Sequence, residues 1–221
     1  MISSTLLFEF ADLLNPEAII QWGGLALLLF IIFAETGLFF GFFLPGDSLL
    51  FIAGLFCSND IYKKYLDINV GLMIGLLVIA AIMGTTTGYF FGRLAENYLR
   101  NKKENLFYKR KYLDMAQEFY GKYGMMAFVM GRFLPIVRTF VPILAGMVKI
   151  EFGKFLFFNI VGAAIWIIVM VMAGNLLGKN FPAVTEHLEL IVIGMVLLSA
   201  VPVIVSWFKH KNQLTKKDQK I

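Results

Sequence analysis

Four ionisable side chains, Glu35, Asp47, Arg132 and Arg138, stand inside stretches that are otherwise apolar. At the centre of a membrane helix each such charge costs on the order of 2.5–3.5 kcal/mol, so charges of this kind are functional by default. The arginines lie in GRFLPIVRTFVP (131–142) and the carboxylates in ETGLFFGFFLPGD (35–47). A guanidinium is always charged, and its planar fork matches the oxygens of a phosphate, so two arginines can hold one anionic headgroup. A carboxyl in a partly dry site does the complementary job. It can exchange a proton near working pH, and with it the local charge. The alternative is structural: two ion pairs that hold the surrounding segments together, or arginines that snorkel to the headgroups.

Arg132 and Arg138 are six residues apart. On one unbroken helix that spacing turns them about 120° from each other. They converge on one ligand only where the chain breaks between them, and Pro135 supplies a break. Pro45, Gly46 and Pro142 are expected to break the chain in the same way. Backbone groups freed by such breaks survive at membrane depth only when buried in protein or lining a wet cavity.

The elements that must position these residues are membrane helices. Of 221 residues, 59% are hydrophobic and 16% charged, against about 45–50% and about 25% in soluble domains. Four uncharged stretches, residues 18–34, 68–92, 155–178 and 190–208, are each long enough for a spanning helix. Residues 34–56 and 125–147 are also apolar but carry the prolines, glycines and charges near their middles. We read both as re-entrant hairpins. They resemble one another, since FFLPGDSLLFIAG and RFLPIVRTFVPILAG share Phe-Leu-Pro, a charged residue and a closing Ala-Gly. The spanning segments that follow exit through GYFFGR (88–93) and GNLLGK (174–179). Broken helices in corresponding positions of two halves point to a transporter site at the repeat interface.

The expected fold is therefore an all-α integral membrane protein with four transmembrane helices and two opposed re-entrant helical hairpins in an inverted-repeat arrangement. A single membrane domain covers 1–208, with halves at about 15–100 and about 106–208, and a basic tail follows at 209–221. Residues 6–14 and 106–120 have the spacing of interfacial amphipathic helices. No basic n-region precedes the first span, which carries Glu9, Asp12 and Glu17 ahead of it or at its start, so that span is expected to be retained. Fifteen of the 20 lysines and arginines fall in 93–122, at 149 and 154, and in the tail. By the positive-inside rule, both termini are then cytoplasmic. The basic balance thus reads as membrane orientation and not as nucleic-acid binding.

Enzymatic chemistry finds little support. The two histidines, His187 and His210, lie outside the apolar motifs, and Cys57 is the sole cysteine. No metal cluster, nucleophile elbow or phosphate loop appears, so neither a metal nor a cofactor is expected. Gly84, Gly88 and Gly92 have small-xxx-small spacing, which reads as close helix packing.

AETGLFFGFFLPGDSLLFIAG, GTTTGYFFGR and GRFLPIVRTFVPILAGM, in this order, resemble the DedA family of bacterial membrane proteins, also called the SNARE-associated or VTT-domain family. The likeness covers about residues 15–210. It implies residence in the bacterial cytoplasmic membrane and movement of lipids between leaflets, driven in several members by the proton-motive force. The implied cargo is undecaprenyl phosphate, the polyprenyl-phosphate carrier lipid, with phosphatidylethanolamine or general phospholipid scrambling as the alternative. Glu35 and Asp47 resemble the family's essential acidic pair, the proton-coupling residues, and Arg132 and Arg138 its essential basic pair, the lipid-phosphate ligands. Thr85 stands where many members have Asp, which sets aside a further proton relay there. A proton-coupled carrier of a small ion or solute stays open beside the flippase, as does homo-oligomerisation.

Overall fold

The structure, a computed structural model, describes residues 16–38, 41, 44–58, 66–100, 124, 126–132, 135–181 and 194. Its longer elements are α1 (Pro16–Gly37), α2 (Gly46–Phe56), α3 (Val70–Arg100), α4 (Met126–Gly131), α5 (Pro135–Met147) and α6 (Phe152–Asn180). Among the described residues, α1, α3 and α6 are long and apolar enough to cross a membrane, by length and composition. Of the expected fourth crossing at 190–208 only residue 194 is described, and both amphipathic segments and the basic tail lie outside the described residues.

Helix α1 opens on Pro16, where a missing N–H costs nothing. It breaks once, at Gly24, whose φ of 54° and ψ of −146° suit a residue without a Cβ. It then runs through Gly37, so Glu35 belongs to this helix. The boundary expected at residue 34, between a span and a separate hairpin limb, is thus continuous helix.

Helix α2 follows Pro45, with Gly46 as its first residue. Its 11 residues reach about 16 Å at 1.5 Å per residue, half of a hydrocarbon core. Nearly all of its surface is buried, including Leu49, Leu50, Ile52 and Phe56. The main core gathers these side chains with Ile20, Leu28 and Ile32 of α1, Met73 and Leu77 of α3, and Trp166 and Val171 of α6. Large apolar residues such as Phe30, Met83, Phe91 and Phe157 point outward, the arrangement expected of helices solvated by lipid.

One of the expected breaks needs revision. Pro135 is the first residue of α5, and the chain interrupts between it and α4 as expected. Pro142, by contrast, lies inside α5 and does not end it. The ring removes one helical hydrogen bond, and packing compensates. Pro142 is buried, and its Cβ lies 3.7 Å from where a Cβ on Gly88 would stand, so the ring fills the bare face of that glycine.

The halves cross over when they pack. Helix α2 lies along α6, where Gly54 meets the Val171 carbonyl and Gly174 meets the Phe51 carbonyl. Helix α5 lies along α3, where Gly146 meets the Tyr89 carbonyl and Gly92 meets the Ile143 carbonyl. At each of these four glycines an added Cβ would overlap the facing backbone. The two pairs of contacts correspond position by position. Gly92 therefore matches Gly174, one helical turn away from the match that GYFFGR and GNLLGK suggest, which would pair Gly88 with Gly174. Gly84 and Gly88 serve packing too, facing Phe33 and Thr36 of α1 and the Gly37 carbonyl.

A clasp closes the far end of α3 and α5. Tyr89 donates its hydroxyl to the Ile150 carbonyl at 2.6 Å and stacks on Phe155 at 4.5 Å. Lys149 turns the chain between α5 and α6 with φ of 56° and pairs with Glu96 at 2.8 Å.

Candidate functional site

The site forms where α1, α2, α5 and α6 meet. Glu35 comes from the C-terminal end of α1, and Asp47 from the first turn of α2. Helix α2 can begin there because Pro45 does not continue the preceding chain and Gly46 lets the backbone close on Glu35. A Cβ on Gly46 would overlap the Glu35 carboxylate. Arg138 projects from α5 and meets both acids.

Its guanidinium spans the two carboxylates. Nη2 donates to Oε1 of Glu35. Nη1 donates to Oδ1 of Asp47 at 2.9 Å, and Nη2 reaches Oδ2 at 3.3 Å. The side chains of Glu35 and Arg138 are 0% and 3% exposed, while that of Asp47 is 22% exposed. Asp47 is thus the member that opens outward. Trp166 of α6 completes the group: its Nε1 donates to Asp47 Oδ1 at 2.8 Å, and the Arg138 Cζ lies 4.8 Å from the centre of its ring. Glu35 Oε2, which lies against the Gly46 backbone, and Arg138 Nε are buried without a side-chain hydrogen-bond partner among the described residues.

Arg132 sits apart from this triad, in the turn after α4. It is buried, at 5% exposure, and its hydrogen bonds go to neutral acceptors. Nη2 donates to the Asn159 side-chain and main-chain oxygens and to Thr85 Oγ1 at 3.2 Å. Thr85 in turn donates to the Ala81 carbonyl at 2.6 Å. Arg132 is near enough to Arg138 for the two charges to repel. In this structure the arginines therefore do not converge on one vacant point. One is held by both acids and the other by a neutral cradle.

Glu35, Asp47 and Arg138 are brought together, then, and Arg132 stands beside them on other partners. Pro45, Gly46 and Pro135 flank the helix starts that present these side chains, whereas Pro142 only packs. Asn159 and Trp166 were not among the expected site residues, although each is a polar atom carrier deep within an apolar run. Buried tryptophan is also displaced from the membrane interfaces where its ring usually sits, and that displacement was the available signal. Among the described residues, no group of three His, Cys, Asp or Glu side chains could hold a metal.

Residues 36–176 match the VTT domain. The chain is 39% identical to protein DedA of Escherichia coli over 187 residues, 85% of this chain and 83% of the relative. It is 34% identical to an uncharacterised membrane protein of Mycobacterium tuberculosis over 209 residues, 92% of this chain and 89% of the relative. Inner membrane protein YqjA of Escherichia coli is 31% identical over 194 residues, 87% of this chain and 84% of the relative. No solved structure matches the chain. The domain match, the extent of these identities and the apolar helices agree: the chain belongs to the VTT-domain, or DedA, family of membrane proteins.

Proposed function

We propose that the protein is a proton-coupled flippase that returns undecaprenyl phosphate across the bacterial cytoplasmic membrane, with both termini on the cytoplasmic side. The observation that carries the reading is the sharing of buried Arg138 between Glu35 and Asp47, beside a buried Arg132 that has no carboxylate partner among the described residues. An arginine shared by two acids can exchange partners. Protonation of one acid removes an attraction that holds Arg138, and a lipid phosphate can take its place. Arg132 supplies the second cation at that moment, since its hydrogen bonds to the described residues leave from Nη2. The prenyl chain stays in lipid, and return of the carboxylate to its charged form expels the phosphate. The two short apolar helices α2 and α5 would enter as re-entrant limbs and bring the charges to mid-membrane depth.

Transport in proteoliposomes tests the reading. Arg138→Ala is expected to abolish translocation of undecaprenyl phosphate, and a variant that moves it at the native rate would sink the proposal. Phosphatidylethanolamine assayed in the same vesicles separates a phospholipid flippase, and solute flux under a pH gradient without lipid movement separates a small-solute carrier.

The direct pairing of Arg138 with both acids also favours a second reading, a structural ion cluster in a protein that transports nothing. Exchanging Arg138 and Asp47 would restore full function under that reading and none under the first, because the phosphate ligand would be misplaced.

A further inference from the structure

The two carboxylates around Arg138 differ in how they are held. Asp47 Oδ1 accepts from both Trp166 Nε1 at 2.8 Å and Arg138 Nη1 at 2.9 Å, and Oδ2 accepts from Nη2 at 3.3 Å. Each of its oxygens faces a donor. Indole N–H only donates, so it favours the charged form of Asp47, the stronger acceptor, over the acid form. Glu35 has one oxygen on Arg138, while Oε2 is buried against the Gly46 backbone with no side-chain donor among the described residues. A proton arriving there displaces no side-chain donor. Burial adds to the contrast, since the Glu35 side chain is fully enclosed and the Asp47 side chain is partly open.

We infer that Trp166 is a positioning residue that pins Asp47 to Arg138 as a fixed ion pair and leaves Glu35 as the carboxyl that takes up the proton. The inference rests on the proton-coupled reading above and gives it a division of labour. The charged groups facing Glu35 are Arg138 of α5 and Asp47 of α2, with Arg132 lying near Arg138. Helices α3 and α6 bring neutral groups to the cluster, namely Thr85, Asn159 and Trp166. The electron-rich face of the Trp166 ring, 4.8 Å from the Arg138 Cζ, adds a second hold on the guanidinium.

Infrared difference spectra of the full chain in nanodiscs, titrated by acid without any transported lipid, test the assignment. The native protein should show one protonated-carboxyl band that grows on acidification. Glu35→Gln should abolish it, and Asp47→Asn should leave it. Trp166→Phe keeps a ring beneath Arg138 but removes the N–H, and it should add a second band that Asp47→Asn removes. A band that is absent from the native protein, that follows Asp47, or that stays single in a folded Trp166→Phe chain would overturn the inference. Should Trp166→Phe fail to fold, the Glu35 and Asp47 variants decide with the indole in place. Because no lipid is moved in this measurement, its failure is distinct from a failure of the flippase reading in proteoliposomes.

Discussion

At the scale of single residues, the cluster holds Arg138 with two acids and Arg132 with none, and the two arginines should answer mutation differently. Arg138→Ala leaves two carboxylates facing each other in a buried site. We expect a stability loss of about 3–5 kcal/mol, read from thermal unfolding in detergent. Adding Glu35→Gln and Asp47→Asn to that variant should recover much of the loss while transport stays absent. Asn159→Leu removes the side-chain acceptor of Arg132 and should cost about 1–3 kcal/mol by the same measurement. Glu35, Asp47 and Arg138 were legible in the sequence because a charge inside an apolar stretch is conspicuous. Their pairing was not, since Glu35 and Arg138 are 103 positions apart. Asn159 and Trp166 are neutral and cost less inside a helix, so they stood out less. That the two arginines hold separate partners in this structure was hidden for a related reason: spacing reports rotation about an axis, but not which neighbours are already bound.

At the scale of elements, prolines show what local chemistry decides and what packing decides. Pro45 and Pro135 flank helix starts, as their missing N–H predicts. Pro142 has the same chemistry yet sits inside α5, because the bare face of Gly88 receives its ring. The match of the two halves was visible through Phe-Leu-Pro and the closing Ala-Gly, whose glycines 54 and 146 do correspond, but the exit motifs GYFFGR and GNLLGK were one turn off, since only backbone approach fixes which glycine faces which carbonyl. Overpacking costs about 1–3 kcal/mol or more in a close-packed interface. Gly54→Leu and Gly146→Leu should therefore each lower the unfolding temperature in detergent, by similar amounts, since the two contacts are equivalent. Gly75→Leu is the control. Nothing lies within 4 Å of its added Cβ, and the change should stay within about 0.5 kcal/mol.

At the scale of the whole molecule, hydropathy made the helical membrane class legible, and three helices of spanning length appear among the described residues. Lysine and arginine placement predicts that reporters fused to either end will read as cytoplasmic. An external reading for either would reverse the orientation. The crossed packing of α2 on α6 and of α5 on α3 has a further consequence. Counted back from the matching glycines 54 and 146, Gly46 stands where the other half has Arg138, and Asp47 where it has Thr139. The scaffold is repeated, but its charges are not. A chain rebuilt from two copies of the first half could reproduce the glycine contacts and would set four carboxylates around an empty centre, with no cation to join them. Whatever ancestry the halves share, they have become complementary parts, and neither can stand in for the other.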